Sequence, residues 1–375
     1  MELSDNNLDA LYEVFMENFS KHGEIGATVS VWKDGTEVLS MWKGWMDKSE
    51  TKAWEGNTMV PFYSATKGPA SATLLMLLDE NGLTPESRVI QVWRDFPNDQ
   101  ATFAELMSHQ CGLAALDESA SVYDYEAVIS AIENQEPNWE LGAGHGYHPR
   151  TYGFLLDELC RLLTGKRIGE MWREKIAEPL ELDLWIGLPE SEFGRVATLY
   201  PGKMDKTELE SGFYKEFHQS GSLVKRAFSS PKGLHAVHEM NTPEAWQSAL
   251  PAMGGVGTAQ ALAKFYQAAI GAIPFFSDDV LSWMKQSQVM GDDKVLMTPT
   301  HFSCGFQKDP LDENDEKMRN HYGDSLEAFG HPGAGGSHAF GDPESGISFA
   351  YTMNQMDLAV LPGAKSLNMI KTLYS

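Results

Sequence analysis

The sequence has 375 residues, enough for two or three domains and for a core that needs no covalent staples. Apolar residues make up 42% and charged residues 22%, which excludes a disordered, collagen-like or coiled-coil chain. Acidic residues outnumber basic ones 53 to 29, giving a formal charge of −24 that repels phosphate backbones and anionic lipid; neither nucleic acid nor a membrane is an expected partner.

Cys111, Cys160 and Cys304 are odd in number, far apart and without a Cys-x-x-Cys pair. That argues against a disulfide framework or zinc knuckle and fits a reducing compartment. The opening Met1-Glu2-Leu3-Ser4-Asp5 is acidic where a secretory signal is basic and then apolar. The longest nearly apolar run, 70–78, is far short of the ~20 residues of a spanning helix. The expectation is a soluble, cytoplasmic protein.

In chain order, Leu8, Leu11, Val14, Phe15 and Phe19 fall at a helical period. Segments 27–32 and 37–42 flank Asp34-Gly35, a strong hairpin signal. Residues 60–63 then run into a predicted helix over 64–81, stopped by Gly82. Further helices are predicted over 101–109, 125–134, 150–163 and 168–177, the third opening at Pro149. Residues 187–230 read as loop. Helices follow at 259–270 and 278–286. Short strands are predicted at 303–307, 328–331, 337–341 and 347–353, separated by Gly and Pro turns, with a closing helix at 369–374. Strands at both ends and helices between them predict an α/β domain built from both termini, residues 1–66 and 240–375, with a mainly helical region, 67–239, inserted.

The most informative stretch is Ser64-Ala-Thr-Lys67 at the start of the 64–81 helix. A lysine three residues after a serine lies on the same helical face. Enclosed there, it can lose its proton and act as base to a serine nucleophile, while the helix N-terminus leaves N–H groups free to face an oxyanion. The rival α/β-hydrolase elbow, Gly-x-Ser-x-Gly, is absent; Gly335-Gly-Ser337-His-Ala339 lacks its second glycine. Two Gly-rich stretches complete the set: Gly142-Ala-Gly-His-Gly146-Tyr147-His148-Pro149, and Gly330-His331-Pro332-Gly333-Ala334-Gly335-Gly336, where glycine permits close approach of a strand to a substrate.

Ser-x-x-Lys, then a tyrosine loop, then a (Lys or His)-x-Gly strand is the order of serine β-lactamases and penicillin-binding proteins. The chain resembles most closely the β-lactamase-like esterases, the family VIII carboxylesterases, themselves similar to class C β-lactamases. Thr102 to Leu113, Tyr147 to Gly153, Thr164-Gly165, Pro179-Leu180, and Phe329 to Gly333 leading to Asp342-Pro343 carry the likeness, which spans about 20–360. The resemblance implies an antiparallel sheet flanked by helices, with an inserted helical domain and the active site at the junction. It implies Ser64 as nucleophile, Lys67 as general base, and Tyr147 as the relay of protons to and from the leaving group. It places the oxyanion and substrate-binding groups at Ser64, Ala334, His331 and Gly333, with His331 in the place of the triplet's lysine.

Two positions depart from the lactamase pattern. Pro149 stands where that loop has asparagine, and Pro332 where the triplet has Thr or Ser, removing hydrogen-bonding groups that position an amide-bearing antibiotic. They favour ester over β-lactam substrates. The expected function is hydrolysis of small carboxylic esters through an acyl-enzyme, with no cofactor and no metal. The rivals are a β-lactamase, D-amino-acid peptidase or acyltransferase on the same fold, and a non-catalytic binding protein that kept the pocket. Among other residues, Tyr152 is the rival to Tyr147, and His109 is expected to be structural. His235 and His238 are expected on the surface without a third ligand at zinc-site spacing. Gly142, Gly144 and Gly146 read as turn residues, and Trp139 and Trp185 as candidates for an acyl pocket.

Overall fold

A computed structural model of the chain describes residues 5–203 and 211–375; the acidic opening Met1–Ser4 and part of the 187–230 stretch lie outside the described residues. The strands are β1 (Gly26–Lys33), β2 (Thr36–Gly44), β3 (Val60–Pro61), β4 (Leu184–Ile186), β5 (Gly255–Gly257), β6 (Val289–Asp292), β7 (Pro299–Phe302), β8 (Gln307–Lys308), β9 (Phe329–Pro332), β10 (His338–Asp342) and β11 (Ile347–Met353). Eight of them form one antiparallel sheet in the order β2-β1-β11-β10-β9-β8-β7-β6, so the N-terminal hairpin closes onto the last strand of the chain. The hairpin turns at Asp34 (φ 48°) and Gly35 (φ 82°), the left-handed pair that matches the twist of its strands.

The helices are α1 (Asp5–Lys21), α2 (Lys67–Glu80), α3 (Phe103–Met107), α4 (Tyr125–Glu133), α5 (Thr151–Thr164), α6 (Ile168–Trp172), α7 (Gly212–His218), α8 (Leu223–Ser229), α9 (Pro243–Gln247), α10 (Ala259–Ala269), α11 (Asp278–Lys285) and α12 (Ala364–Leu373). All seven residues of β11 are buried, because helices cover both faces of the sheet. On one face Ser348 donates to the Ala263 carbonyl of α10 (2.7 Å). On the other, the Tyr351 hydroxyl donates to Glu24 (2.6 Å), and Glu24 pairs with Lys365 of α12 (2.9 Å). Alternate side chains of one strand thus serve two layers.

The small sheet β3-β5-β4 and the buried helix α2 carry the site. In α2 every residue from Lys67 to Leu75 is buried, which is why this segment lacks a polar face. The stretch read as loop over 187–230 contains α7 and α8. Their aromatics Phe213, Phe217 and Phe228 pack on one another, with ring centroids 5.4–5.9 Å apart, rather than on the main core. Of the strand expected at 303–307, residues 303–306 are instead a turn between β7 and β8, and only Gln307 is in a strand, as the first residue of β8. Gly305 forces it there: at φ +85°, its α-carbon sits so close to α2 that a side chain would meet Ser71. Helix α5 begins at Thr151, two residues past Pro149. No helix among the described residues is long and apolar enough to cross a membrane.

Candidate active site

Ser64 opens a short 3-10 turn that leads directly into α2. The residue before it, Tyr63, has φ 47° and ψ −129°, a strained conformation for a side chain of that size. The surroundings hold it there. The Thr66 hydroxyl donates to the Tyr63 carbonyl (2.6 Å) and accepts from the Gly255 amide (2.8 Å), while the Phe62 amide donates to the Gly255 carbonyl (3.0 Å).

Lys67 is 0% exposed, and its Nζ lies 3.2 Å from Ser64 Oγ, 2.9 Å from the Pro149 carbonyl and 2.8 Å from the Ala252 carbonyl. Burial, reinforced by the nearby Arg150 guanidinium, holds its pKa well below the ordinary lysine value. A neutral amine has two N–H groups and one lone pair. The two carbonyls take the N–H groups, which leaves the lone pair for the Ser64 hydroxyl, the orientation a general base needs. The Tyr147 ring lies 4.8 Å from Nζ and favours the ammonium. Desolvation of the fully buried amine is the largest influence on its pKa, and it lowers it.

Tyr147 is buried and hydrogen-bonded to Ser64, and burial raises its pKa, so it rests as a neutral phenol able to give a proton. Its backbone is fixed by Asp293. That carboxylate accepts from the amides of Tyr147 (3.0 and 3.1 Å), Val295 (2.8 Å) and Leu296 (2.8 Å), and from the Thr300 hydroxyl (3.1 Å). The rival Tyr152 points elsewhere, its hydroxyl 2.8 Å from Ser71 inside the α2–α5 packing. His109 is buried against Tyr147 and accepts from the His148 amide (3.2 Å), a structural task.

The end of β9 comes up beside Ser64. A Cβ on Gly333 would lie 1.9 Å from the Phe62 carbonyl oxygen, so only glycine permits this approach. It brings Ala334 to the same cleft as Ser64. Neither the Ser64 nor the Ala334 amide donates to a protein acceptor among the described residues, leaving both free for an oxyanion. Gly333→Ala is therefore expected to push Ala334 away from Ser64; with the oxyanion role that the sequence resemblance implies for the Ala334 amide, kcat is expected to fall by about 10²–10³-fold, with KM less affected. Steady-state kinetics with one activated ester, beside a melting curve, checks this.

His331 stands behind Tyr147, ring centroids 5.9 Å apart, and is not among the residues lining the open cleft. Its Nδ1 is 2.9 Å from the Pro332 carbonyl, and burial holds its pKa down at about 3. It is a neutral ring where the triplet's lysine would be a cation.

The cleft over Ser64 encloses about 290 Å³. Tyr63, Phe217, Phe228, Leu234 and Met253 form its apolar wall, and Arg150, Lys225 and His235 its polar part. Trp139 and Trp185 are not in it. Trp139 donates to the Gln110 carbonyl (3.1 Å), and Trp185 lies under Arg173 (3.9 Å). His235 is exposed but lines the cleft rather than open surface, and no cluster of metal-ligating side chains occurs among the described residues. Arg150, Phe217, Lys225 and Phe228 were not legible as site residues. Phe213 and Phe217 stand four residues apart, a helical spacing that is a sequence signal for ordered structure in the stretch read as loop.

Residues 8–372 match the Beta-lactamase family. The chain is 30% identical over 346 residues to a Mycobacterium tuberculosis protein described as esterase/beta-lactamase LipL, covering 88% of this chain and 77% of that one. It is also similar to the structure of a penicillin-binding protein homolog from Caulobacter crescentus (32% identity, TM-score 0.86, 100% of this chain and 98% of that one). A family VIII carboxylesterase structure matches at 27% identity and TM-score 0.87, over 100% and 98% of the two chains. With this fold and this match over nearly its whole length, the chain belongs to the beta-lactamase family, within the esterase and beta-lactamase superfamily of hydrolases.

Proposed function

We propose that the protein is a serine carboxylesterase that works through an acyl-enzyme on Ser64. The observation that carries this reading is the Lys67 amine, buried, held by two carbonyls and aimed at the Ser64 hydroxyl. Ser64 Oγ attacks the ester carbonyl and its proton passes to Lys67 Nζ. The amides of Ser64 and Ala334 hold the oxyanion. As the C–O bond breaks, the Tyr147 phenol gives its proton to the leaving alcohol, and the proton held by Lys67 replaces it. Water then attacks the acyl group, its proton is taken by the same pair, and Ser64 leaves reprotonated.

Esters rather than β-lactams are favoured by what lies beside Ser64. Pro149 offers a carbonyl to Lys67 but no side-chain amide to a substrate, Pro332 has no hydroxyl, and His331 is neutral. The family VIII carboxylesterase structure among the similar proteins supports the same reading. A series of p-nitrophenyl esters of graded chain length, run beside a chromogenic cephalosporin, tests it. Short-chain esters are expected to be turned over with kcat/KM at least about 10²-fold above the cephalosporin, since unpaired polar groups of a substrate carry penalties of that order. Efficient cephalosporin hydrolysis without ester hydrolysis would reverse the assignment.

A further inference from the structure

The cleft over Ser64 carries a charge opposite to that of the molecule. In a chain with 53 acidic and 29 basic residues, no Asp or Glu among the described residues lines this cleft, whereas Arg150 and Lys225 both do. Arg150 is only 6% exposed. Its Nε donates to the Pro231 carbonyl (3.0 Å), Nη1 to Leu234 (3.5 Å) and Nη2 to Gly233. These acceptors are neutral, so the positive charge has no ion-pair partner within the described residues. Glu239 is the carboxylate whose field reaches it, yet that side chain accepts from the amides of His235 (2.8 Å) and Ala236 (2.7 Å). Of the five N–H groups of a guanidinium, two are left. Lys225 is exposed at the rim, likewise without an ion pair among the described residues.

A buried cation without a counter-ion costs folding energy, and an incoming anion removes that cost. Resting on the esterase reading, we propose that the preferred substrates are esters carrying a carboxylate, which Arg150 binds inside the cleft and Lys225 attracts at its mouth. The remainder of the wall, Tyr63, Phe217, Phe228, Leu234 and Met253, holds the apolar body between the ester and the acid group. This anion site lies at the start of α5 and beside α8, not on β9, where His331 is neutral. It is therefore a recognition site separate from the His331 triplet. Arg150 stays charged in any neutral assay, its pKa being held at about 10 by burial.

The test compares matched esters with and without a carboxylate: mono-p-nitrophenyl glutarate against p-nitrophenyl butyrate for an acyl-side anion, and 4-acetoxybenzoate against phenyl acetate for an alcohol-side anion. One anionic ester is expected to exceed its neutral partner in kcat/KM by about tenfold or more, as for a hydrogen bond to a charged group, mainly through KM. Whichever pair shows the preference tells which half of the ester carries the acid. Arg150→Gln should bring that ratio close to one. Lys225→Glu, a change at an exposed position that tests the idea even if the arginine variant fails to fold, should lower it by about two- to fivefold. Arg150 also bears on the Lys67 pKa and latches the 231–234 segment, so an arginine variant that slowed both esters equally would leave it a structural role only and overturn the proposal. Equal turnover of neutral and anionic esters by the unaltered enzyme would overturn it as well. Failure to hydrolyse any of the four esters would instead count against the esterase reading itself.

Discussion

Replacing Ser64 with alanine is expected to reduce kcat for a short-chain p-nitrophenyl ester to background, a fall of about 10⁶-fold where Ser64, Lys67 and Tyr147 act as a unit. Among the described residues lining the cleft, no other group is prepared to attack. Ser229 also lines it, but its hydroxyl is committed to the Lys225 carbonyl (2.6 Å) on α8. The three cysteines are buried, and burial raises each of their pKa values, so none presents a thiolate. The Ser64 hydroxyl contacts Lys67 and Tyr147 and takes no part in holding the turn, which the Thr66 and Gly255 bonds secure. The variant should therefore melt close to the unaltered protein. Near-normal esterase activity in a folded Ser64→Ala protein would remove the nucleophile assignment.

Lys67→Arg is expected to be nearly as damaging as Lys67→Ala, each costing about 10²–10⁴-fold in the acylation rate, the usual contribution of a positioned base. A guanidinium keeps a positive charge and cannot accept the Ser64 proton. An arginine variant within about tenfold of the unaltered enzyme, roughly 1.4 kcal/mol in barrier, would mean that the lysine serves as a charge rather than a base. The pH dependence follows from the same chemistry. The base must be unprotonated, so kcat/KM rises as pH rises through the Lys67 pKa, and burial moves that limb well below the ordinary lysine value. The buried His148 and His331 do not account for a limb between pH 5 and 8, since both are held at about 3; His235 also lines the cleft, so a His235→Gln control separates its titration from that of Lys67. Tyr147, with its pKa raised, keeps its proton throughout that range, so no fall in activity is expected on the alkaline side until well above neutrality. Stopped-flow acylation rates across pH, with a melting curve for each variant, provide the check.

Local chemistry made much of this readable in the sequence. The hairpin at Asp34-Gly35 followed from left-handed turn residues, and β11 over Ile347–Met353 from a β-branched and aromatic run with both faces buried. Ser64 and Lys67 were legible because three-residue spacing brings side chains together within one helical turn, whatever the rest of the chain does. What was not legible depends on distant partners. Gly305 breaks a strand-like run because Ser71, far away in sequence, stands against it. Asp293 fixes the Tyr147 loop through backbone amides, which leave no mark on sequence pattern. Arg150 looks like an ordinary charged residue at a helix start until the 231–234 carbonyls are seen around it. The tryptophans misled for a similar reason. Aromatic size favours burial somewhere, and only tertiary contacts decide that Trp139 fills a core while Phe217 and Phe228 line the cleft.

The most direct test of the account is to trap the acyl-enzyme. The protein is mixed with an activated p-nitrophenyl ester, quenched in acid within the burst phase, and read by intact and peptide mass spectrometry. The account predicts one acyl group per chain on the peptide containing Ser64, accumulating in the unaltered enzyme and absent from Ser64→Ala. An acyl group on any other residue, or full turnover in Ser64→Ala, would contradict it.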